Sequence, residues 1–71
     1  MVTIQYKKIG DNELSITKGM YTVPELNNAR VMCYKTELYN PYEVVIREYS
    51  NTLDGAVSAF EQYKGAVNDG V

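Results

Sequence analysis

Thr22-Val23-Pro24-Glu25-Leu26-Asn27-Asn28-Ala29-Arg30-Val31-Met32-Cys33-Tyr34-Lys35-Thr36 is the stretch on which the fold turns, and it supports two readings. Threonine followed three residues later by glutamate has the spacing of a capping box, and proline sits where a first helical turn accepts it. A helix begun there scatters its apolar side chains, with Leu26, Ala29 and Cys33 on one side and Val31, Tyr34 and Leu38 on the other. Asn27 and Asn28 would occupy its first turns, although asparagine favours caps and turns, where its side chain bonds nearby backbone. Residues 30–36 are instead rich in strand formers. The adopted reading is a turn at Glu25–Asn28 followed by a strand. The helical alternative changes the element order from ββββα to ββαβα.

Upstream of this stretch, Val2, Ile4 and Tyr6 alternate with Thr3, Gln5 and Lys7, the period of a half-buried strand. Gly10-Asp11-Asn12 is turn chemistry, and Leu14 and Ile16 then alternate with Glu13, Ser15 and Thr17, completing a hairpin. Lys18-Gly19 reads as a bulge within the second strand. Downstream, Tyr39-Asn40-Pro41 breaks the chain, because proline has no N–H for a ladder and restricts the residue before it. Residues 42–49 form the clearest strand, with Val44 and Ile46 on one face and Val45, Arg47 and Tyr49 on the other. Ser50-Asn51-Thr52 offers N-caps, and Asp54 suits the positive end of a helix. Leu53, Ala56, Val57 and Phe60 recur at helical spacing, with Gly65 placed to end the helix and residues 68–71 to fray.

These signals predict a single α+β domain over residues 1–71: a small antiparallel sheet with one C-terminal helix packed on one face. The helix is expected to bury Leu53, Val57 and Phe60 against Val2, Ile4, Leu14, Ile16, Val44 and Ile46. The opposite face is expected to carry Thr3, Gln5, Lys7, Ser15, Thr17, Val45, Arg47 and Tyr49, joined by Met32, Tyr34 and Thr36. A slip of one residue would exchange the two faces.

Composition narrows the chemistry. The chain has 71 residues, seven of them tyrosine, with no histidine, no tryptophan and one cysteine. A domain of this size has a thin stability margin, which self-association or docking can widen. Cys33 has no partner for an intrachain disulfide, and no His/Cys spacing suits a metal. As a nucleophile it would need Lys35 or a helix terminus to stabilise its thiolate, and a buried structural thiol is the commoner role. Glu43 and Glu48 alternate to opposite faces, so they form no acid–base pair. The five glycines are scattered and make no phosphate loop. The expectation is therefore a protein that is not an enzyme and carries no cofactor or metal. No segment has the length and apolarity of a membrane span, and Met1-Val2-Thr3-Ile4-Gln5-Tyr6 lacks the layout of a signal peptide. With a lone cysteine, this fits a cytoplasmic setting.

What remains is contact chemistry. Tyrosine, arginine and methionine are favoured at protein interfaces, and Tyr39 and Tyr42 bracket a loop tip. The candidate partner-binding residues are Lys7, Met32, Tyr34, Tyr39, Tyr42, Glu43, Val45, Arg47 and Tyr49. Against each stands a structural role: Tyr34 and Tyr49 as a cross-strand pair, and Tyr39 and Tyr42 folded down to close their turn. Sequence alone thus leads to a small protein-binding inhibitor or regulator, a class that includes phage-encoded antagonists of host systems. Glu37, Glu43 and Glu48 would steer it toward a basic target. A structural homodimer and a nucleic-acid-binding sheet are the alternatives. The net charge of −2 and the absence of a basic run weigh against the latter.

Overall fold

The computed structural model describes residues 1–69 and has the ββββα order. Strands β1 (Val2–Ile9), β2 (Asn12–Val23), β3 (Ala29–Tyr39) and β4 (Val44–Ser50) form one antiparallel sheet in the order β1-β2-β3-β4, followed by α1 (Leu53–Asp69). The strand reading of the central stretch holds. Pro24–Leu26 is a single 3-10 turn, and Asn27 and Asn28 both adopt left-handed backbone, with φ of 56° and 62°. Two consecutive asparagines tolerate that conformation, and the amide of Asn28 closes the turn by donating to the carbonyl of Val23 at 3.1 Å.

The β1–β2 hairpin turns on Gly10 and Asp11, with Ile9 opposite Asn12. Gly10 has φ of +63° at the first central position, where a two-residue hairpin of the II′ kind calls for glycine. The β3–β4 loop is held by one side chain. Asn40 Oδ1 accepts from the amides of Tyr42 at 2.8 Å and Glu43 at 3.0 Å, and the Asn40 amide donates to the Glu43 carbonyl.

Cross-strand register sets the two faces. Leu14 lies opposite Leu38, Ile16 opposite Thr36 and Lys18 opposite Tyr34, while Leu38 also meets Ile46. The helix covers this face. Leu14, Ile16, Leu38, Ala56 and Phe60 are buried together, with Tyr34, Ile46, Val57, Tyr63 and Val67 packed around them. Thr36 is fully buried among these groups, and its hydroxyl donates to the Ala56 carbonyl at 3.3 Å. The core is thus narrower than the sequence reading proposed. Val2, Ile4, Val44 and Leu53 are exposed, and the small residues Ala56 and Ala59 bring α1 close to the sheet instead of Leu53.

Bulges explain most of the difference. The expected irregularity at Lys18-Gly19 is absent, and both residues pair regularly with Tyr34 and Cys33. The register instead shifts between Thr3 and Gln5 in β1, and between Leu38 and Tyr39 against β4. Each shift adds a residue to an edge strand and exchanges the faces of the residues beyond it. Gln5 and Lys7 thereby lie opposite Ile16 and Leu14 on the helix side, and Tyr6 lies opposite Ser15 on the other.

Helix α1 starts as expected. Thr52 Oγ1 accepts from the Gly55 amide at 3.1 Å, the Thr52 carbonyl accepts from Ala56, and Asp54 lies in the first turn. Gly65 does not end it, and the helix runs on through Asp69. A mid-helix glycine costs about 1 kcal/mol relative to alanine, but continuing the helix seats Val67 against the core. Of the tail expected to fray at residues 68–71, residues 70–71 lie outside the described residues.

Candidate protein-binding surface

The face away from α1 is a continuous sheet of side chains bonded to one another. Tyr6 and Tyr39 stand at one end of it, and Tyr21 and Tyr49 stand toward the other. Tyr6 donates its phenol to Glu13 Oε1 at 2.5 Å, and Tyr21 and Thr17 share a hydroxyl hydrogen bond at 2.6 Å. The Tyr21 and Tyr49 rings lie 5.9 Å apart at an interplanar angle of 49°, and Lys35 Nζ sits 4.8 Å from the Tyr21 centroid. Glu37 ties the centre together: it accepts from Arg47 Nε at 2.8 Å and lies 3.9 Å from Lys35 Nζ. Under this cover Ser15 and Thr17 are buried although they face away from the helix.

The electrostatics of the face arise from those contacts. The hydrogen bond to Glu37 holds the Arg47 guanidinium above its usual value, against the opposing effect of burial. The bond to Glu13 raises Tyr6, and burial, with the carboxylates of Glu13 and Glu37 nearby, raises Tyr39. Burial also raises the Cys33 thiol, which makes its thiolate scarcer. Tyr63 is pushed up to about 12 by burial and by its 2.9 Å hydrogen bond to Glu48. Among the described residues no three metal-ligating side chains converge, and no helix is long and apolar enough to cross a membrane.

A second surface lies where β2 and β3 outrun the rest of the sheet. Strand β1 meets β2 only as far as Val2 opposite Lys18, and β4 meets β3 only as far as Ser50 opposite Tyr34. From Gly19 to Cys33 the two long strands continue as a two-stranded ribbon, pairing Met20 with Met32 and Thr22 with Arg30. On the helix side of this ribbon Met20 is 45% exposed and Met32 60%. Together with Met1 and Val2 they border a concavity of about 510 Å³, with Lys18 and Arg30 on its rim.

The structure distributes the sequence-derived candidates over three places. Tyr39, Arg47 and Tyr49 are spread along the open face. Tyr42 is 93% exposed in the β3–β4 loop, while Tyr39 is half-buried, so one ring of that pair packs down and the other is displayed. Glu43 closes the loop, and Val45 is the extra residue at the β4 bulge. Lys7, Met32, Tyr34 and Thr36 do not join the open face. All four are on the helix side, where Tyr34 and Thr36 belong to the covered core and Met32 to the ribbon. Tyr21, Lys35, Met1 and Met20 belong to these surfaces although the sequence reading does not select them, and Glu37, expected only as a steering charge, is engaged by Lys35 and Arg47. Leu38 carries the missing signal: as the most apolar residue of β3 it belongs over the core, and Tyr34 and Met32 share its parity.

Compared with protein-family models, with curated proteins and with solved structures, the chain matches none.

Proposed function

We propose that this chain is a non-enzymatic module that binds another protein, acting as an inhibitor or regulator by covering a functional surface of its target. The observation that carries this reading is the uncovered ribbon end, where Met1, Val2, Met20 and Met32 stay exposed beside one another. Methionine is flexible and polarizable, which suits a contact that must adapt to a partner. Grouped apolar side chains on a small domain are a recognised mark of an interaction site, whereas isolated ones are not. The open face supports the reading less, because its two central cations, Lys35 and Arg47, are already engaged in matching contacts with Glu37. That matching also weighs against the sheet as a nucleic-acid reader, since phosphate binding needs cations free to engage it. Tyr42 lies at the opposite end of β3 from the ribbon, so it serves a separate contact if it serves one.

The test is an affinity pull-down from cell lysate with nuclease treatment, comparing the native chain with a Met20→Glu, Met32→Glu variant. Both substitutions are at exposed positions, so the fold should persist. A stoichiometric protein retained by the native chain and lost by the variant supports the proposal. Equal recovery by both, or recovery of nucleic acid alone, rejects it.

A further inference from the structure

We infer that the outer edge of β2 at Met20–Val23 is a strand-addition site for an extended segment of a partner protein that carries apolar side chains flanked by acidic ones on a single face of the strand. This rests on the protein-binding reading and specifies its geometry. The first observation is an unpaired ladder. β3 pairs the inner edge of this segment from Met20 opposite Met32 to Val23 opposite Ala29. On the outer side β1 has ended at Val2, and Met1 closes only the first position by lying against Gly19. Alternate residues of an antiparallel strand turn their N–H and C=O groups outward, so this edge presents donors and acceptors to a new strand.

The second observation is that this edge lacks the usual protections. Natural sheets blunt their edges with charges, prolines and bulges. Strand β1 carries Lys7, Lys8 and a bulge on its own outer edge, and β4 carries Arg47, Glu48 and a bulge. The outer edge of the opposite ribbon strand carries Arg30. Met20-Tyr21-Thr22-Val23 has none of these. Its composition is that of a strand that accepts a neighbour.

The third observation selects the occupant. An added strand would drop every second side chain into the concavity beside Met20, which favours apolar residues there. Lys18 and Arg30 stand on its rim, and among the described residues neither forms an ion pair with a carboxylate. Lys18 lies instead 5.4 Å from the centroid of Tyr34. Lys18, Met20, Met32 and Arg30 share the helix-side face, so two uncommitted cations beside an apolar trough complement carboxylates that stand on the same face of the incoming strand as its apolar side chains, two residues along from them. A second copy of this chain fits poorly, because pairing edge to edge would crowd two Lys18 and two Arg30 side chains around one trough.

The experiment is an amide and methyl NMR titration of the full chain with three synthetic peptides. One carries leucines flanked by glutamates on one strand face with threonine at the intervening positions, one has lysines in place of those glutamates, and the third is the glutamate peptide N-methylated along one backbone edge. The proposal expects the glutamate peptide to shift the amides of Met20–Val23 and slow their hydrogen exchange. The other two should bind at least about tenfold more weakly, a difference of about 1.4 kcal/mol. A Lys18→Glu, Arg30→Glu variant should prefer the lysine peptide. Equal binding of the glutamate and lysine peptides, shifts on another surface, or no binding would overturn the site. So would preferential binding of a single-stranded oligonucleotide at these residues. Shifts of the Met20 and Met32 methyls without amide protection would reject strand addition, leaving the broader reading to the pull-down.

Discussion

Two halves of the same pair of strands meet opposite fates. From Leu14 to Lys18 and from Tyr34 to Leu38, β2 and β3 lie in the middle of four strands with α1 across one face, and Leu14, Ile16, Thr36 and Leu38 are almost wholly buried. From Gly19 to Cys33 the same two strands have lost both neighbours, and Met20 and Met32 are exposed. Backbone pairing is equally regular in both halves. What differs is the number of layers around it. A two-stranded ribbon is marginal by itself, so this one borrows its order from the sheet it extends. The covered half supplies most of the stability, and the extension, which keeps Val23 and Cys33 buried on its other side, supplies free surface on its helix side.

The contrast breaks first at the core. Phe60→Ala should cost about 3–5 kcal/mol, because the ring is fully buried in the cluster over Leu14 and Ile16. A chain of 71 residues has a total stability of about 4–11 kcal/mol. Chemical denaturation should therefore show a midpoint moved far toward lower denaturant, with about a quarter to all of the stability removed. Native-state hydrogen exchange should then separate the halves without any mutation. Amides in Met20–Arg30 should open at free energies well below those of Leu14–Thr17, and a common value for both would mean that the ribbon is not a separate unit.

Alkaline titration sharpens the comparison from the helix side. Tyr63 holds its proton up to about 12 in the folded chain, against 10 as its ordinary value. Folding therefore binds a proton that the unfolded chain releases, so this contribution is complete below pH 10 and is lost as pH rises from 10 to about 12. Tyr63→Phe should make the loss of stability shallower in that window, read from melting temperature against pH. Tyr6 and Tyr39, raised in the same direction, leave a residual slope. A smaller effect is expected at the start of α1, where Thr52→Ala removes the acceptor for the Gly55 amide and should cost about 1 kcal/mol by denaturant titration. At the ribbon, Met32→Ala should change stability by less than about 0.5 kcal/mol. A loss of several kcal/mol there would show that the exposed methionines belong to the fold rather than to a contact.

Much of the fold is legible in the sequence because its signals are local. Alternation in Leu14 to Thr17, the turn-forming Asn27-Asn28, the break at Asn40-Pro41 and the cap at Thr52 each act over a few residues, and each lies where the sequence puts it. Gly65 misleads about the end of α1 because Val67 meets the core, a contact that no local pattern announces. The candidate site is less legible. Arg47 and Tyr49 share the open face as expected, and Tyr39, expected at the loop tip, joins them there. Met32 and Tyr34 fall on the face opposite to the expected one, and Tyr21 and Lys35 complete the open face without any sequence signal of their own, beside Glu37, which the sequence offers only as a steering charge.

The sequence by itself determined the N-terminal hairpin, the strand after Asn40-Pro41 and the C-terminal helix, a strand after Asn28 as the favoured of two readings, a single thiol with no disulfide partner, and a surface chemistry dominated by tyrosine. Those properties come from side-chain identity and short-range periodicity. Only the tertiary structure decided which side chains share a face and which strand segment is left without a neighbour. Two edge-strand bulges exchange faces one residue at a time, and strands of unequal length leave β2 and β3 extending past the reach of β1, β4 and α1. Both are relations between distant segments, settled when the strands pair and the helix packs.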